Sequence, residues 1–174
     1  MRPARVLLVG MMGSGKTSVG RALSQRTGWP YFDNDRLVAS LTGLPTADLL
    51  AERGEPALRT AEAQALARVL TADPPVIAGV AGGVVESRHN RELLRSGHGF
   101  VVYLDTPLEV LVQRVGSGEG RPWLRPDPET ALRRLLDGRE PLYREVADLV
   151  VDTRRGGPED HARLVTEALE RHQG

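Results

Sequence analysis

The stretch Gly10-Met-Met-Gly13-Ser14-Gly15-Lys16-Thr17 decides how this chain is read, because of what lies on either side of it. Before it runs Arg5-Val-Leu-Leu-Val9, a β-branched and leucine segment that predicts a buried parallel strand. After it, Lys16 to Arg26 carries Val19 and Leu23 with the small Gly20 and Ala22 at helical spacing, and Gly28 and Pro30 end that helix. Strand, glycine loop and helix in this order satisfy G-x-x-x-x-G-K-[ST] in the context that the pattern requires. The glycines let the backbone wrap so that its N–H groups face phosphate oxygens, and the helix N-terminus adds partial positive charge. Gly13, Ser14, Gly15 and Ser18 are therefore expected to cradle ATP phosphates, with the Lys16 ammonium on the β- and γ-phosphates and the Thr17 hydroxyl on Mg²⁺. Lys16 is also the only lysine among 23 basic residues. A chain this biased to arginine keeps a compact ammonium on a flexible stem at one position, inside the glycine loop.

Working outward, the chain alternates strands and helices. Tyr31 to Asp33, Val76 to Ala78, Phe100 to Leu104 and Leu149 to Val151 read as further strands. Helices are expected over 36–41, 46–52, 55–70, 87–94, 107–115, 129–146 and 159–171. This alternation predicts an α/β fold: a three-layer α/β/α arrangement around a five-stranded parallel sheet in one domain, residues 1–174. Between about 116 and 128, three glycines, three prolines and two arginines predict a mobile lid loop. Basic and acidic residues balance at 23 each, so no overall positive field points to nucleic acid or a membrane surface. No apolar run is long enough to span a bilayer, and there is no cysteine. A cytoplasmic monomer acting on small molecules is expected.

The loop leaves the kind of enzyme open. A GTPase would need N-K-x-D for guanine, which a chain with one lysine cannot supply. No hydrophobic run ending in Asp marks a motor or transporter ATPase, so a small kinase remains. Asp33 and Asp35 lie two apart at a strand end, where one could hold Mg²⁺ and the other orient or deprotonate an acceptor hydroxyl. Equally, Asp35 could cap the next helix while Asp33 is solvated. Arg59 and Glu62 are spaced as an i,i+3 surface ion pair, and Arg139 would by default be exposed on its helix. Arg121 could swing from the lid onto the transferring phosphoryl group. His89, His98, His161 and His172 show no ligand spacing and are expected at the surface.

Taken together, these segments resemble the shikimate kinase family over essentially the whole chain. Gly10 to Leu23 is similar to its N-terminal signature, Phe32-Asp-Asn-Asp35 to its paired-aspartate motif and Gly54-Glu-Pro-Ala-Leu-Arg59-Thr-Ala-Glu62 to its acceptor helix. Gly82-Gly83 stands where that family has a triple glycine; Arg121-Pro-Trp-Leu124 resembles its lid motif and Arg139-Glu-Pro-Leu-Tyr143 its last one. The resemblance implies transfer from Mg·ATP to a hydroxyl of shikimate, in the pathway to aromatic amino-acid precursors, with acceptor-binding helices over about 34–70. It assigns Mg²⁺ to Asp33 with Thr17, base action and ring hydroxyls to Asp35, and the acceptor carboxylate to Arg59 and Arg139, positioned by Glu62. Gly82 and Gly83 would offer backbone N–H groups, Arg121 would close over the phosphates, and Arg114 with Arg155 to Pro158 would sandwich adenine. Three residues depart from the pattern: Leu58 for Phe, Ala81 for Gly and Trp123 for Leu. Two alternatives stay open beside it: a kinase for a related hydroxy acid or cyclitol, and a non-catalytic nucleotide-binding paralogue.

Overall fold

The computed structural model describes residues 4–116, 124 and 126–173. Five parallel strands lie in the order β2-β3-β1-β4-β5, with β1 at Arg5–Val9, β2 at Tyr31–Phe32, β3 at Val76–Gly79, β4 at Phe100–Asp105 and β5 at Leu149–Asp152. β1 is central: Leu7 pairs with Ala78 of β3 on one side and Val101 of β4 on the other. Its side chains alternate between two cores, as a strand covered on both faces must. Leu7 and Val9 join Leu66, Val101, Tyr103, Leu111, Leu132 and Tyr143 on one face. Val6 and Leu8 join Val19, Leu23, Val102, Val165 and Leu169 on the other.

Those partners identify the outer layers. Helix α1 (Lys16–Thr27) and the C-terminal helix α7 (Pro158–Gln173) cover one face. The other is covered by α3 (Thr46–Thr71), α5 (Leu108–Val115) and α6 (Pro128–Val146). Helix α2 (Asn34–Thr42) packs on α3 through Val38, Leu49, Leu58, Ala61 and Ala65. A 3₁₀ turn over Val84–Glu86 leads to α4 (Arg88–Arg95), which Ser87 caps by accepting from the Asn90 N–H.

The boundaries expected from the sequence hold, with one merger. The segments 46–52 and 55–70 form a single element, α3, bent at Gly54, whose φ of 79° and ψ of 175° are not helical. Only a residue without a Cβ takes this conformation easily, and Pro56 then restarts the helix in its first turn. The bend turns Glu55 and Arg59 back toward the C-terminal ends of the strands. In an open parallel sheet, ligands bind in the crevice outside those ends, where neighbouring connections leave in opposite directions. Here the loop after β1 lies there, beside the segments that leave β3 and β4.

Candidate active site

A cavity of about 1030 Å³ runs across that end of the sheet, lined at one end by Gly13 to Val19 and at the other by Arg59, Gly82, Gly83 and Arg139. The phosphate end is built almost entirely from one contiguous segment. Gly10, Gly13 and Gly15 have φ of 146°, 80° and 97°, so the loop turns through conformations that side chains oppose. At Gly10 an added Cβ would also lie 2.9 Å from Ser14 Oγ and 3.0 Å from the Leu104 carbonyl. Gly15 stands at the N-cap of α1 and no side chain among the described residues caps that helix, so its first N–H groups are left for a ligand in the cavity. Lys16 Nζ folds over the loop and donates to the Gly10 and Met11 carbonyls at 2.8 and 2.9 Å. Ser14 is buried, and its Oγ has no hydrogen-bond partner among the described residues.

The first carboxylate resolves the two readings of the aspartate pair. Asp33, not Asp35, is the cap of α2: its Oδ1 accepts from the Asp35 and Arg36 N–H groups at 3.1 and 3.4 Å. Its Oδ2 accepts from Thr17 Oγ1 at 3.1 Å and from the Tyr31 hydroxyl at 3.4 Å. Burial, with help from the Asp33 charge, pushes the Tyr31 hydroxyl up to about 12, so it stays a donor. One carboxylate thus fixes the start of α2 and presents an oxygen beside the Thr17 hydroxyl. Asp35, in the first turn of α2, is exposed to the cavity. Its charge is felt at Glu62 on the acceptor side.

On the outer wall, Arg114 donates through Nη1 to the Gly13 carbonyl at 3.0 Å, which ties α5 to the loop. Gly156, Pro158 and His161 line the facing wall. The expectation that His161 is a surface residue is wrong: it is 5% exposed, and its Nε2 lies 2.9 Å from the Arg155 carbonyl. It anchors the turn from β5 into α7, and helical periodicity places it with Ala162 and Val165 on the buried face. Arg155 takes part through that carbonyl, and its side chain is not among the groups lining the cavity.

The end of the cavity opposite the glycine loop is assembled from three separated elements. Arg59 on α3 donates to Glu62 Oε2 at 2.9 Å and Glu55 Oε1 at 3.1 Å, and it lies 3.5 Å from Glu86 Oε2. So the i,i+3 pair exists, but at the wall of a cavity rather than on an open surface. Glu62 is 8% exposed, and burial pushes its carboxyl up even though Arg59 pulls it down. Arg59 itself is raised: burial works against its charge, but the Glu62 hydrogen bond and the Glu62 and Glu86 charges outweigh that. Arg139 on α6 is 4% exposed, against the default for its helix, and its Nε donates to Glu86 Oε1 at 3.0 Å.

The paired glycines sit against both arginines. An added Cβ at Gly83 would lie 2.0 Å from Arg59 Nη1, and one at Gly82 3.3 Å from the Gly10 carbonyl and 3.5 Å from Arg139 Nη1. The Tyr143 hydroxyl donates to the Gly82 carbonyl at 2.7 Å, and its ring stacks on Tyr103 with centroids 5.0 Å apart. Leu58 and Ala81, two of the departures, line the same cavity and are buried. Trp123, Arg121 and most of the expected lid lie outside the described residues.

The structure therefore brings Lys16, Thr17, Asp33, Asp35, Arg59, Gly82, Gly83, Arg114 and Arg139 into one cavity. Sequence reasoning missed Glu86, which touches both arginines. No local signal points to it, because Arg139 lies 53 residues further along the chain and Arg59 belongs to another helix.

Comparison with known proteins points to one family. The family model for shikimate kinase matches residues 12–170. A shikimate kinase of Halorhodospira halophila is 42% identical over 169 residues, covering 97% of this chain and 94% of that one. The solved structure of shikimate kinase from Acinetobacter baumannii in complex with shikimate superposes with a TM-score of 0.90 at 36% identity, covering 98% and 94% of the two chains. A gluconokinase from Sinorhizobium meliloti, 24% identical with a TM-score of 0.66, shares the fold. The chain belongs to the shikimate kinase family.

Proposed function

We propose that this enzyme transfers the γ-phosphoryl group of ATP to a ring hydroxyl of shikimate, giving shikimate 3-phosphate and ADP. One observation carries the reading: the cavity that begins at the phosphate loop ends at two guanidinium groups from α3 and α6. Such a fork suits a carboxylate rather than a nucleobase.

In this reading the ATP phosphates lie along the N–H groups of the loop and of the first turn of α1, and Lys16 leaves its two carbonyls to reach them. Thr17 Oγ1 and Asp33 Oδ2 are hard oxygen donors 3.1 Å apart, a set that fits Mg²⁺, which keeps several waters and phosphate oxygens and needs few protein ligands. When bound there, Mg²⁺ supplies neutralisation of the charge that develops on the β- and γ-oxygens. Arg59 and Arg139 hold the acceptor carboxylate, and the Gly82 and Gly83 backbone meets the ring where a side chain would collide. Asp35 orients the reacting hydroxyl and accepts its proton as the phosphorus–oxygen bond forms. Arg121 approaches the transferring group from the lid. The rate enhancement comes from positioning and electrostatics, with no covalent intermediate.

The direct test is ADP release from Mg·ATP, coupled to a spectrophotometric readout, with shikimate, quinate, gluconate or no acceptor. Release confined to shikimate supports the proposal. ATP binding with no response to shikimate would mean that Leu58 and Ala81 have redirected the acceptor end.

A further inference from the structure

The two guanidinium groups of the clamp are held by a carboxylate of the chain itself. Glu86 Oε1 accepts from Arg139 Nε at 3.0 Å and Glu86 Oε2 lies 3.5 Å from Arg59 Nη2, so one carboxylate spans residues 80 positions apart in the chain. Glu55 and Glu62 take the other donors of Arg59. Three carboxylates thus face two cations, with the exposed Asp35 nearby. Arg134 also lines the cavity, and an anionic acceptor has to compete with these carboxylates for the two arginines. The three are not equivalent. Glu62 is buried against Arg59, and Glu55 is one turn away on the same helix. Among the described residues Glu86 alone is ion-paired to both arms, and its side chain is 44% exposed. It is held by charge and little else, on a 3₁₀ turn whose valines are locked in the core.

We propose that Glu86 is a specificity-determining residue: an internal carboxylate that stands in for the acceptor's and is displaced when the acceptor binds. It keeps the buried Arg139 paired and holds the two like-charged arms together in the empty enzyme. It also sets a threshold, since an incoming acid must offer the arginines a better carboxylate than the one they hold. A neutral polyol, which could not displace Glu86, is thereby refused.

The inference rests on Arg59 and Arg139 being the acceptor clamp, and the experiment separates the two. Steady-state kinetics with shikimate are compared for wild type, Glu86→Gln, Glu86→Ala and the charge-keeping Glu86→Asp. Thermal shift on adding shikimate alone is measured beside them. With the stand-in removed, the Gln and Ala variants should show a shikimate KM lower by about threefold to tenfold. Their kcat and ATP KM should stay within about twofold of wild type. Glu86→Asp should stay near wild type. The unliganded Gln and Ala variants should melt lower than wild type and be raised further by shikimate. An unchanged or raised KM in both variants would overturn the proposal, because Glu86 would then hold the clamp in shape or do nothing. Failure of the wild type to use shikimate would instead fall on the acceptor assignment and take this inference with it.

Discussion

The two ends of the cavity are built on opposite plans. The phosphate end comes from one run of eight residues whose geometry is set by backbone: three glycines in conformations that side chains oppose, and an uncapped helix start. Lys16 and Thr17 are the side chains of the loop to which the proposed reaction assigns a part. The acceptor end comes from α3, the turn after β3 and α6, and it is made of long charged side chains that hold one another. A backbone cradle is rigid and indifferent to what the rest of the phosphorylated molecule looks like. An ion-pair cluster can be retuned by single substitutions, which suits the part of an enzyme that chooses its acceptor.

This contrast can be broken or sharpened by substitution. The largest effect should come from Lys16→Ala, expected to lower kcat by about 10²–10³-fold while calorimetric binding of shikimate is retained. Loss of both would mean that the ends are not independent. Arg59→Ala should weaken acceptor binding by about 2–5 kcal/mol, much of it from leaving the acceptor carboxylate without one of its cations, and leave ATP binding alone. An unaltered acceptor KM would return Arg59 to a surface ion pair.

Two glycines then distinguish stability from recognition. At Gly20 an added Cβ would lie 2.2 Å from the Tyr31 ring, which is wedged between α1 and the sheet. Gly20→Ala should therefore cost about 1–3 kcal/mol in denaturant unfolding, with a smaller change in acceptor KM. At Gly83 the obstacle is the tip of Arg59, which can move aside. Gly83→Ala should be nearly neutral for stability yet raise the acceptor KM about tenfold, equivalent to ~1.4 kcal/mol. Equal losses of stability in both variants would erase the distinction.

The smallest effect is a pH dependence. The carboxyl of Glu62 is raised in the folded chain, because burial outweighs Arg59. A raised acid favours the folded state most below its unfolded value, and that contribution fades as pH rises through the folded one. Wild type should therefore lose stability relative to Glu62→Gln as pH climbs from the acid side to neutrality. A difference independent of pH would mean that burial and Arg59 cancel at Glu62, and a gain with rising pH that the site stabilises its charge.

How much of this was readable beforehand follows the same division. The five strands, the loop and Gly28 as a helix stop rest on local patterns, and the structure reproduces them. The break at Gly54 was placed correctly, but the continuity of α3 across it was not, because a one-residue bend leaves the same sequence signal as a gap. The cap of α2 was assigned to Asp35 in one of two readings, and the structure gives it to Asp33, which also serves Thr17. A carboxylate with two duties cannot be told by spacing from its neighbour. Glu86 was illegible for a stronger reason: its partners are 27 and 53 residues away, and nothing local marks a glutamate that bridges two helices. His161 shows the same limit in the core, where a polar residue is admitted by one carbonyl contributed from the preceding turn.

The claim on which the rest depends is that the acceptor end recognises a carboxylate. Calorimetric titration of shikimate and of its methyl ester into the nucleotide-free enzyme tests it directly. The account predicts that the ester, which keeps the ring and its hydroxyls but loses the charge, binds weaker by about 30-fold or more, the lower end of 2–5 kcal/mol for a buried charge pair. Equal affinities would show that Arg59 and Arg139 are not the acceptor clamp.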